Sequence, residues 1–137
     1  MPELAIPIRS RGALVKVLVR PAAARHPAPR ESKPLLAYLD TGASDTMLDL
    51  DAVRHLDLCP EQSASLHVLG REDVSFHPIL QVEVALVHPQ VPVRWLQLAV
   101  LGGAVFPTGA VAALGRDFLR HFVLSYDGHT QQAKLSW

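Results

Sequence analysis

The chain alternates short apolar segments with polar turns, and most of the apolar segments have the period of a β-strand. Leu80, Val82, Val84 and Leu86 alternate with Gln81, Glu83 and Ala85, which predicts a strand with one face toward the core. This strand extends over 74–87. Further strands are predicted at 13–19, 35–39, 65–69, 91–101, 111–114, 122–126 and 132–137.

Turn signals separate these strands. The polar residues 70–73 suit a hairpin between two strands, and Asp127-Gly128 is a strong hairpin signal before the last one. Four prolines make 20–34 an exposed loop. Short helices are predicted from Asp49 or Asp51 to about Leu56 and over 116–121. About eight strands without βαβ alternation predict an all-β, mostly antiparallel barrel or folded sheet with one or two short helices.

Composition narrows the class of protein. A length of 137 residues fits a single domain over 1–137. Lysine plus arginine and aspartate plus glutamate both count 13, so nucleic acid and anionic membranes are not predicted partners. Peptides or small molecules are expected instead. The seven histidines have no metal-ligand spacing, and no metal or other cofactor is predicted.

The expected location is the cytoplasm. The amino terminus lacks a basic start followed by an unbroken apolar stretch, which argues against a secretory signal. The longest apolar run, 96–106, is far shorter than the roughly 20 residues that span a bilayer. The single Cys59 fits a reducing compartment, or is simply a buried small hydrophobic residue.

Asp40-Thr41-Gly42 carries the candidate chemistry, because it places a carboxylate on a tight turn directly after an apolar strand. Such a tripeptide occurs by chance in roughly a few per cent of chains of this length. A turn aspartate bonded to its own loop is therefore the structural alternative. Aspartic-protease chemistry needs two carboxylates that share a proton. With one such run per chain, a catalytic interpretation predicts a homodimer.

A second motif strengthens the catalytic interpretation. The segment 112–119, Ala-Ala-Leu-Gly-Arg-Asp-Phe-Leu, follows Asp40 by about 70 residues, and the predicted hairpin over 65–87 lies between them. In this order and spacing, residues 35–137 resemble the retroviral-type (retropepsin-like) aspartic protease family. The resemblance implies a retropepsin-like acid protease barrel in which the second motif packs beneath the Asp-Thr-Gly loop and the hairpin forms a flap.

The resemblance also implies roles for individual residues. Asp40 would hold and deprotonate the attacking water, Thr41 would lock the two loops across the dimer axis, and Gly42 would let the substrate backbone approach closely. Hydrolysis would proceed by general acid–base attack of water on a peptide carbonyl, without a covalent intermediate or a metal. Leu114, Gly115 and Arg116 would support the loop. The implied substrate-binding residues are Ala43, Ser44, Asp45, Val68, Leu69, Gly70 and Ala112.

The chain departs from the viral pattern at several places. Ser44 stands where viral members often carry an aspartate, which indicates a relation to cellular or bacterial members and leaves Arg116 to pair with Asp45. The predicted flap tip, 69–73, has one glycine and three charged residues. Pro2 and Pro7 argue against an amino-terminal strand at the dimer seam, so 134–137 is the predicted seam. A non-catalytic peptide-binding or dimerisation module with the same fold is the alternative function.

Overall fold

The computed structural model of the protein describes residues 1–10, 12–22, 30–60, 62–67, 74–103 and 109–137, with the backbone alone for 62–67 and 74. Within these residues the chain forms ten strands, one 3₁₀ turn (Arg54–Leu56) and one short helix, α1 (Arg116–Leu119). The strands are β1 (Glu3–Arg9), β2 (Gly12–Pro21), β3 (Leu35–Leu39), β4 (Met47–Asp49), β5 (Gln62–His67), β6 (Val74–Leu86), β7 (Trp95–Gly103), β8 (Ala112–Leu114), β9 (Val123–Asp127) and β10 (Gln132–Ser136).

The strands form one sheet in the order β5-β6-β7-β4-β8-β3-β2-β1-β10-β9. An additional pairing of β6 with β2 closes the middle of this sheet into a barrel. The described strand pairs are antiparallel except for β3 with β8 and β4 with β7, which run parallel. The predicted all-β, mostly antiparallel barrel with short helices is therefore confirmed.

The strand period predicted for β6 is also confirmed, because Leu80, Val82, Val84 and Leu86 are all buried in the barrel core. The side chains on the opposite face of β6 are only partly exposed to solvent. Glu83 accepts a hydrogen bond from the Arg20 guanidinium at 2.6 Å, and the same guanidinium lies 4.0 Å from the centroid of the Trp95 ring. The long arginine side chain thus covers this face while keeping its charge paired.

The sequence did not predict strand β1. Its residues pair antiparallel with β10 from Glu3 opposite Ser136 to Pro7 opposite Gln132, and Ile6 is 2% exposed. The ladder of β1 with β2 contains only Ile8 and Arg9. Pro7 lies outside that ladder, so its missing N–H costs no bond on the β2 side. Burial of Ile6 therefore prevails over the presence of proline in a strand.

The carboxy-terminal hairpin has the predicted turn at Asp127-Gly128, with β9 and β10 in continuous register from Val123 opposite Ser136 to Asp127 opposite Gln132. However, β10 lies between β1 and β9. A strand that is paired on both sides has no free edge for a partner. A dimer seam at 134–137 therefore cannot use a free edge of β10, and the seam itself stays a prediction.

The predicted exposed loop at 20–34 is partly ordered by β2. Pro21 still belongs to β2, and Ser32 is 6% exposed. The Ser32 hydroxyl accepts the Val19 N–H at 2.9 Å, and the Ser32 N–H donates to the Val19 carbonyl at 2.8 Å. Residues 23–29 lie outside the described residues. Among the described residues, no helix is long and apolar enough to cross a bilayer.

We expect the β9–β10 hairpin to depend on pH through Asp127. Its Oδ1 accepts the N–H groups of Thr130 and His129, and these bonds, those to Thr130 first, lower the pKa of the carboxyl. A lowered folded-state pKa stabilises the fold above the unfolded value near 4 and loses that contribution as pH falls through the folded value. Urea titrations at pH 7 and below pH 4 should show less acid destabilisation in Asp127→Ala and Asp127→Asn than in the wild type. Equal acid destabilisation in all three proteins would contradict this assignment.

Candidate active site

Asp40 lies directly after β3, at the edge where β3 and its parallel neighbour β8 both end. Leu39 is registered to Leu114, and the Asp40 N–H continues the pairing by donating to the Leu114 carbonyl at 2.9 Å. Parallel strands present their carboxyl ends at one edge of a sheet, so the two sequence motifs meet here. Asp40 is half-buried, whereas Thr41 and Gly42 are exposed.

The loop after Asp40 is closed by bonds to that residue. The Gly42 N–H donates to Asp40 Oδ1 at 3.0 Å, and the Ala43 N–H donates to the Asp40 carbonyl at 3.2 Å. One carboxylate oxygen is thus oriented by the backbone of its own turn. A side chain at position 42 would place its Cβ 3.3 Å from the same Oδ1. Glycine at this position therefore leaves open space beside the carboxylate.

Helix α1 holds the far side of the loop. The Arg116 N–H donates to the Ala43 carbonyl at 2.9 Å, and the Asp117 N–H donates to the Ser44 carbonyl at 3.2 Å. The first N–H groups of a helix have no partner within it, so here they bind loop carbonyls. Gly115 permits this approach, because a Cβ there would lie 2.6 Å from the Asp45 carbonyl carbon.

Thr46 and Asp117 form a partly buried network that the sequence did not assign to the site. Thr46 is fully buried. Its hydroxyl donates to Asp117 Oδ1 at 2.7 Å and accepts the Gly115 N–H at 3.1 Å. Its N–H donates to Asp117 Oδ2 at 3.0 Å, and the Phe118 N–H donates to Oδ1 at 2.7 Å. The available signal was a threonine directly before the apolar Met47-Leu48, since a hydroxyl buried with them needs partners.

Arg116 does not pair with Asp45 in the described structure. Its Nη1 donates to the Thr41 carbonyl at 2.9 Å, which ties α1 to the exposed tip of the loop. Asp45 instead accepts the Ser44 hydroxyl at 2.9 Å through Oδ2. Both Ser44 and Asp45 are exposed. Because Ser44 is neutral, the Arg116 guanidinium bonds a backbone carbonyl instead of a carboxylate at this position.

Two neighbouring alanines of β8 face opposite sides of the sheet. Ala112 is 0% exposed and lies in the core cluster, and Ala113 is 4% exposed. Ala113 points to the other face and is registered to Tyr38 on β3 and Met47 on β4. Alternation along a strand decides this difference. The substrate contact predicted at Ala112 stays a prediction.

Tyr38 shares the face of Asp40, two residues along the chain. Burial, and then the negative charge of Asp40, raises the pKa of the Tyr38 phenol above its ordinary value. A phenol is neutral at physiological pH even at its ordinary pKa, so Tyr38 adds no second negative charge beside Asp40. Sequence reasoning missed Tyr38, because an aromatic residue within an apolar strand looks like a core residue.

The predicted hairpin between the motifs is present as β5 and β6, paired from Gln62 opposite Ile79 to His67 opposite Val74. The predicted contacts Val68, Leu69 and Gly70 lie outside the described residues. At the base of the hairpin, His77 Nδ1 bonds the Gly102 carbonyl at 2.8 Å and Nε2 bonds the Ser75 hydroxyl at 2.8 Å. A carbonyl only accepts, so Nδ1 carries a proton. His77 thus anchors β6 to the end of β7.

The described residues contain no group of three or more histidine, cysteine, aspartate or glutamate side chains that could hold a metal ion. The site that they form consists of one carboxylate, the polar turn around it and the helix that supports the turn. The Asp40 carboxylate can orient a water molecule or a shared proton, whereas those of Asp45 and Asp117 accept the hydroxyls of Ser44 and Thr46.

Comparisons with proteins of known structure identify the fold. No family model and no curated protein matches the sequence. Among solved structures, a retropepsin-like aspartic protease from Rickettsia conorii superposes with a TM-score of 0.59 at 15% identity, covering 98% of this chain and 89% of the other. EIAV protease in complex with the inhibitor HBY-793 has a TM-score of 0.44 at 19% identity, covering 79% of this chain and 85% of the other. The chain has a retropepsin-like fold, as the sequence motifs predicted.

We expect Gly115→Ala to destabilise the protein by about 1–3 kcal/mol, the usual cost of overpacking a rigid site. The added Cβ would lie 2.6–3.0 Å from the backbone atoms of Asp45, which have no rotamer to change. Gly128→Ala is the matched control, because the nearest atom to its Cβ is a Tyr126 ring carbon at 3.5 Å. Chemical denaturation measures both changes. Equal stability of the two variants would contradict the close approach.

We expect Thr46→Val to cost about 1–3 kcal/mol, because it preserves the side-chain shape but leaves the buried Gly115 N–H without its acceptor. Asp117 Oδ1 would lose the Thr46 donor at the same time. Thr46→Ser keeps the hydroxyl and should be closer to the wild type in denaturant unfolding. A valine variant as stable as the serine variant would show that the network contributes little.

Proposed function

We propose that the protein is an aspartic endopeptidase that acts as a homodimer. The observation that carries this proposal is the position of Asp40 within a retropepsin-like fold, on a loop fastened by β8 and the first N–H groups of α1. Each chain supplies one such carboxylate. Two copies would supply the pair that this chemistry requires.

The two Asp40 carboxyls would share one proton, because two charged carboxylates at close range disfavour each other. The ionised carboxylate takes a proton from water while the water oxygen attacks the peptide carbonyl carbon. The protonated carboxyl donates its hydrogen to the carbonyl oxygen. The carboxyl that took the water proton then protonates the leaving nitrogen as the C–N bond breaks. The other carboxylate recovers a proton from a hydroxyl of the tetrahedral intermediate, so both carboxyls return to their starting state.

The substrate would be an extended peptide or protein segment, held by main-chain pairing between the loop and the β5–β6 hairpin. The exposed turn from Thr41 to Asp45 provides polar and backbone groups beside Asp40. Met47, which is half-buried, supplies apolar surface on the neighbouring strand β4. These residues favour apolar side chains next to the scissile bond.

We also propose a cytoplasmic location. Cys59 is exposed and free, which overturns the expectation that it is buried. An exposed unpaired thiol is typical of a reducing compartment. The near-neutral net charge supports soluble peptides, rather than nucleic acid or a membrane surface, as partners.

Asp40→Asn should reduce peptide cleavage by roughly 10²–10⁴-fold, the usual contribution of a general acid–base group. The asparagine Oδ1 can still accept the Gly42 N–H, so the loop should stay folded. Purified protein is incubated with a peptide library from acidic to neutral pH, with and without a transition-state-mimicking inhibitor. The wild type should show a bell-shaped profile that belongs to the carboxyl pair.

The matched control is Asp57→Asn, which changes an exposed carboxylate after the 3₁₀ turn and should leave cleavage unchanged. Cleavage that persists in Asp40→Asn would exclude the proposed mechanism. A folded dimer that cleaves no peptide at any pH would instead support the non-catalytic binding module.

A further inference from the structure

Strand β6 carries a serine and a histidine whose side chains are bonded to each other. Ser75 and His77 are two positions apart, so both side chains lie on the same face of the strand. The Ser75 hydroxyl oxygen and His77 Nε2 are 2.8 Å apart. Ser75 is exposed and His77 is half-buried. A hydroxyl within hydrogen-bond distance of an imidazole is the pair that produces a serine nucleophile in many enzymes.

The second ring nitrogen determines the direction of this bond. His77 Nδ1 donates to the Gly102 carbonyl at 2.8 Å. A neutral imidazole that carries its proton on Nδ1 has an acceptor at Nε2. The Ser75 hydroxyl therefore donates to Nε2, as a nucleophile donates to its general base. The Gly102 carbonyl orients the ring in the same way as the amide oxygen of asparagine does in Cys-His-Asn sites.

Pro78 explains why the Gly102 carbonyl is available to the imidazole. The described ladder of β6 with β7 ends at Ile79 opposite Leu101, so Pro78 comes next and lies opposite Gly102. A Cβ on Gly102 would lie 2.9 Å from Pro78 Cγ, which shows how close the two residues are. Proline has no N–H to donate to its strand partner. The His77 ring supplies the missing donor, so the backbone of the hairpin fixes the orientation of the imidazole.

A backbone donor directly follows the serine. The Val87 N–H donates to the Lys16 carbonyl of β2, so alternation along β6 directs the N–H of Phe76 to the opposite side, toward β7. The described ladder with β7 begins only at Ile79, beyond Phe76. In serine hydrolases with a nucleophile elbow, the N–H of the residue after the serine helps to bind the oxyanion. The Phe76 N–H has the equivalent place in the chain.

We propose that Ser75 is a second nucleophile of this protein, which accepts acyl groups from activated esters with His77 as its general base. The proposal uses no part of the Asp40 site. Ser75 Oγ attacks the ester carbonyl carbon while its proton passes to His77 Nε2. The bond from that carbon to the leaving oxygen breaks, and His77 returns the proton to the leaving oxygen. Water activated by His77 then hydrolyses the acyl-serine to a carboxylic acid and restores the hydroxyl.

The surroundings of the pair favour an acyl donor over a phosphoryl donor. Within the described part of the chain, the bonds of Ser75 and His77 run to each other and to the Gly102 carbonyl, and not to a lysine or arginine. Phosphoryl transfer depends on cationic groups that stabilise the charge on the transferred group. An uncharged aryl ester needs no such group, and the exposed hydroxyl is accessible to it.

The test measures which serine becomes acylated. The full chain is incubated with p-nitrophenyl acetate at neutral pH, and acetylated peptides are quantified over time by mass spectrometry. Ser75 should be acetylated roughly 10²-fold faster than Ser125, the lower end of what a general base contributes. Ser125 is the internal reference, because it is also an exposed serine within a strand. The labelled residue is the readout, since release of p-nitrophenol does not identify the group that reacts.

The variant His77→Asn separates activation of Ser75 from anchoring of the strand. The asparagine amide can still donate to the Gly102 carbonyl, but it has no base at the position of Nε2. Acetylation of Ser75 should therefore fall to the rate of Ser125, with an unchanged circular dichroism spectrum. His129→Asn is the matched control, because His129 is exposed in the turn between β9 and β10 and should leave Ser75 labelling unchanged.

A second measurement needs no variant. Long-range ¹H–¹⁵N spectra of the wild type at neutral pH should show the proton of neutral His77 on Nδ1. A proton on Nε2, equal acetylation of Ser75 and Ser125, or undiminished labelling of Ser75 in folded His77→Asn would each overturn the proposal. Selective labelling of Ser75 that depends on His77 supports it whether or not the protein cleaves peptides, so it can fail independently of the proposed peptidase function.

Discussion

The hydroxyl of Thr46 joins the two segments that build the candidate site. It accepts the N–H of Gly115 and donates to Asp117, while the Thr46 N–H donates to the same carboxylate. This network brings the start of β4 against the amino end of α1. The Asp40 loop ends directly before β4. The bonds of Thr46 therefore also fix the carboxyl-terminal end of this loop.

This arrangement requires a residue without a Cβ at position 115, which is Gly115. The Asp45 backbone lies where its Cβ would be, so only glycine lets the helix approach the loop without displacing it. The approach allows two N–H groups of α1 to reach the Ala43 and Ser44 carbonyls. The carboxylate of Asp40 is consequently carried by a turn that is bonded at both ends, as a preorganised catalytic group requires.

The same construction explains why one chain forms half of the proposed site. The described residues orient Asp40, whereas the nearby carboxylates of Asp45 and Asp117 accept the hydroxyls of Ser44 and Thr46. The parallel pairing of β3 with β8 uses the second motif as support. In the proposed dimer, the second carboxylate is the Asp40 side chain of the symmetry-related chain.

Local patterns made much of the fold predictable. Alternation identified β6 and its buried face, and Asp127-Gly128 identified the last hairpin, because both depend on residues close together in sequence. Strand β1 was not predicted, because Pro2 and Pro7 argued against a strand and the alternation of apolar residues there is weak. Its pairing with β10 joins residues more than a hundred positions apart, which local propensity does not register.

The sequence by itself determined the chemistry of the site: Asp40 on a glycine turn, and a Leu-Gly-Arg segment to support it. Tertiary structure decided which neighbours serve that chemistry. It buried both Ala112 and Ala113, directed Arg116 to the Thr41 carbonyl and enclosed β10 between two strands. These outcomes depend on the order of the strands and on which side of the sheet each side chain faces. Both arise only when segments distant in sequence pack together.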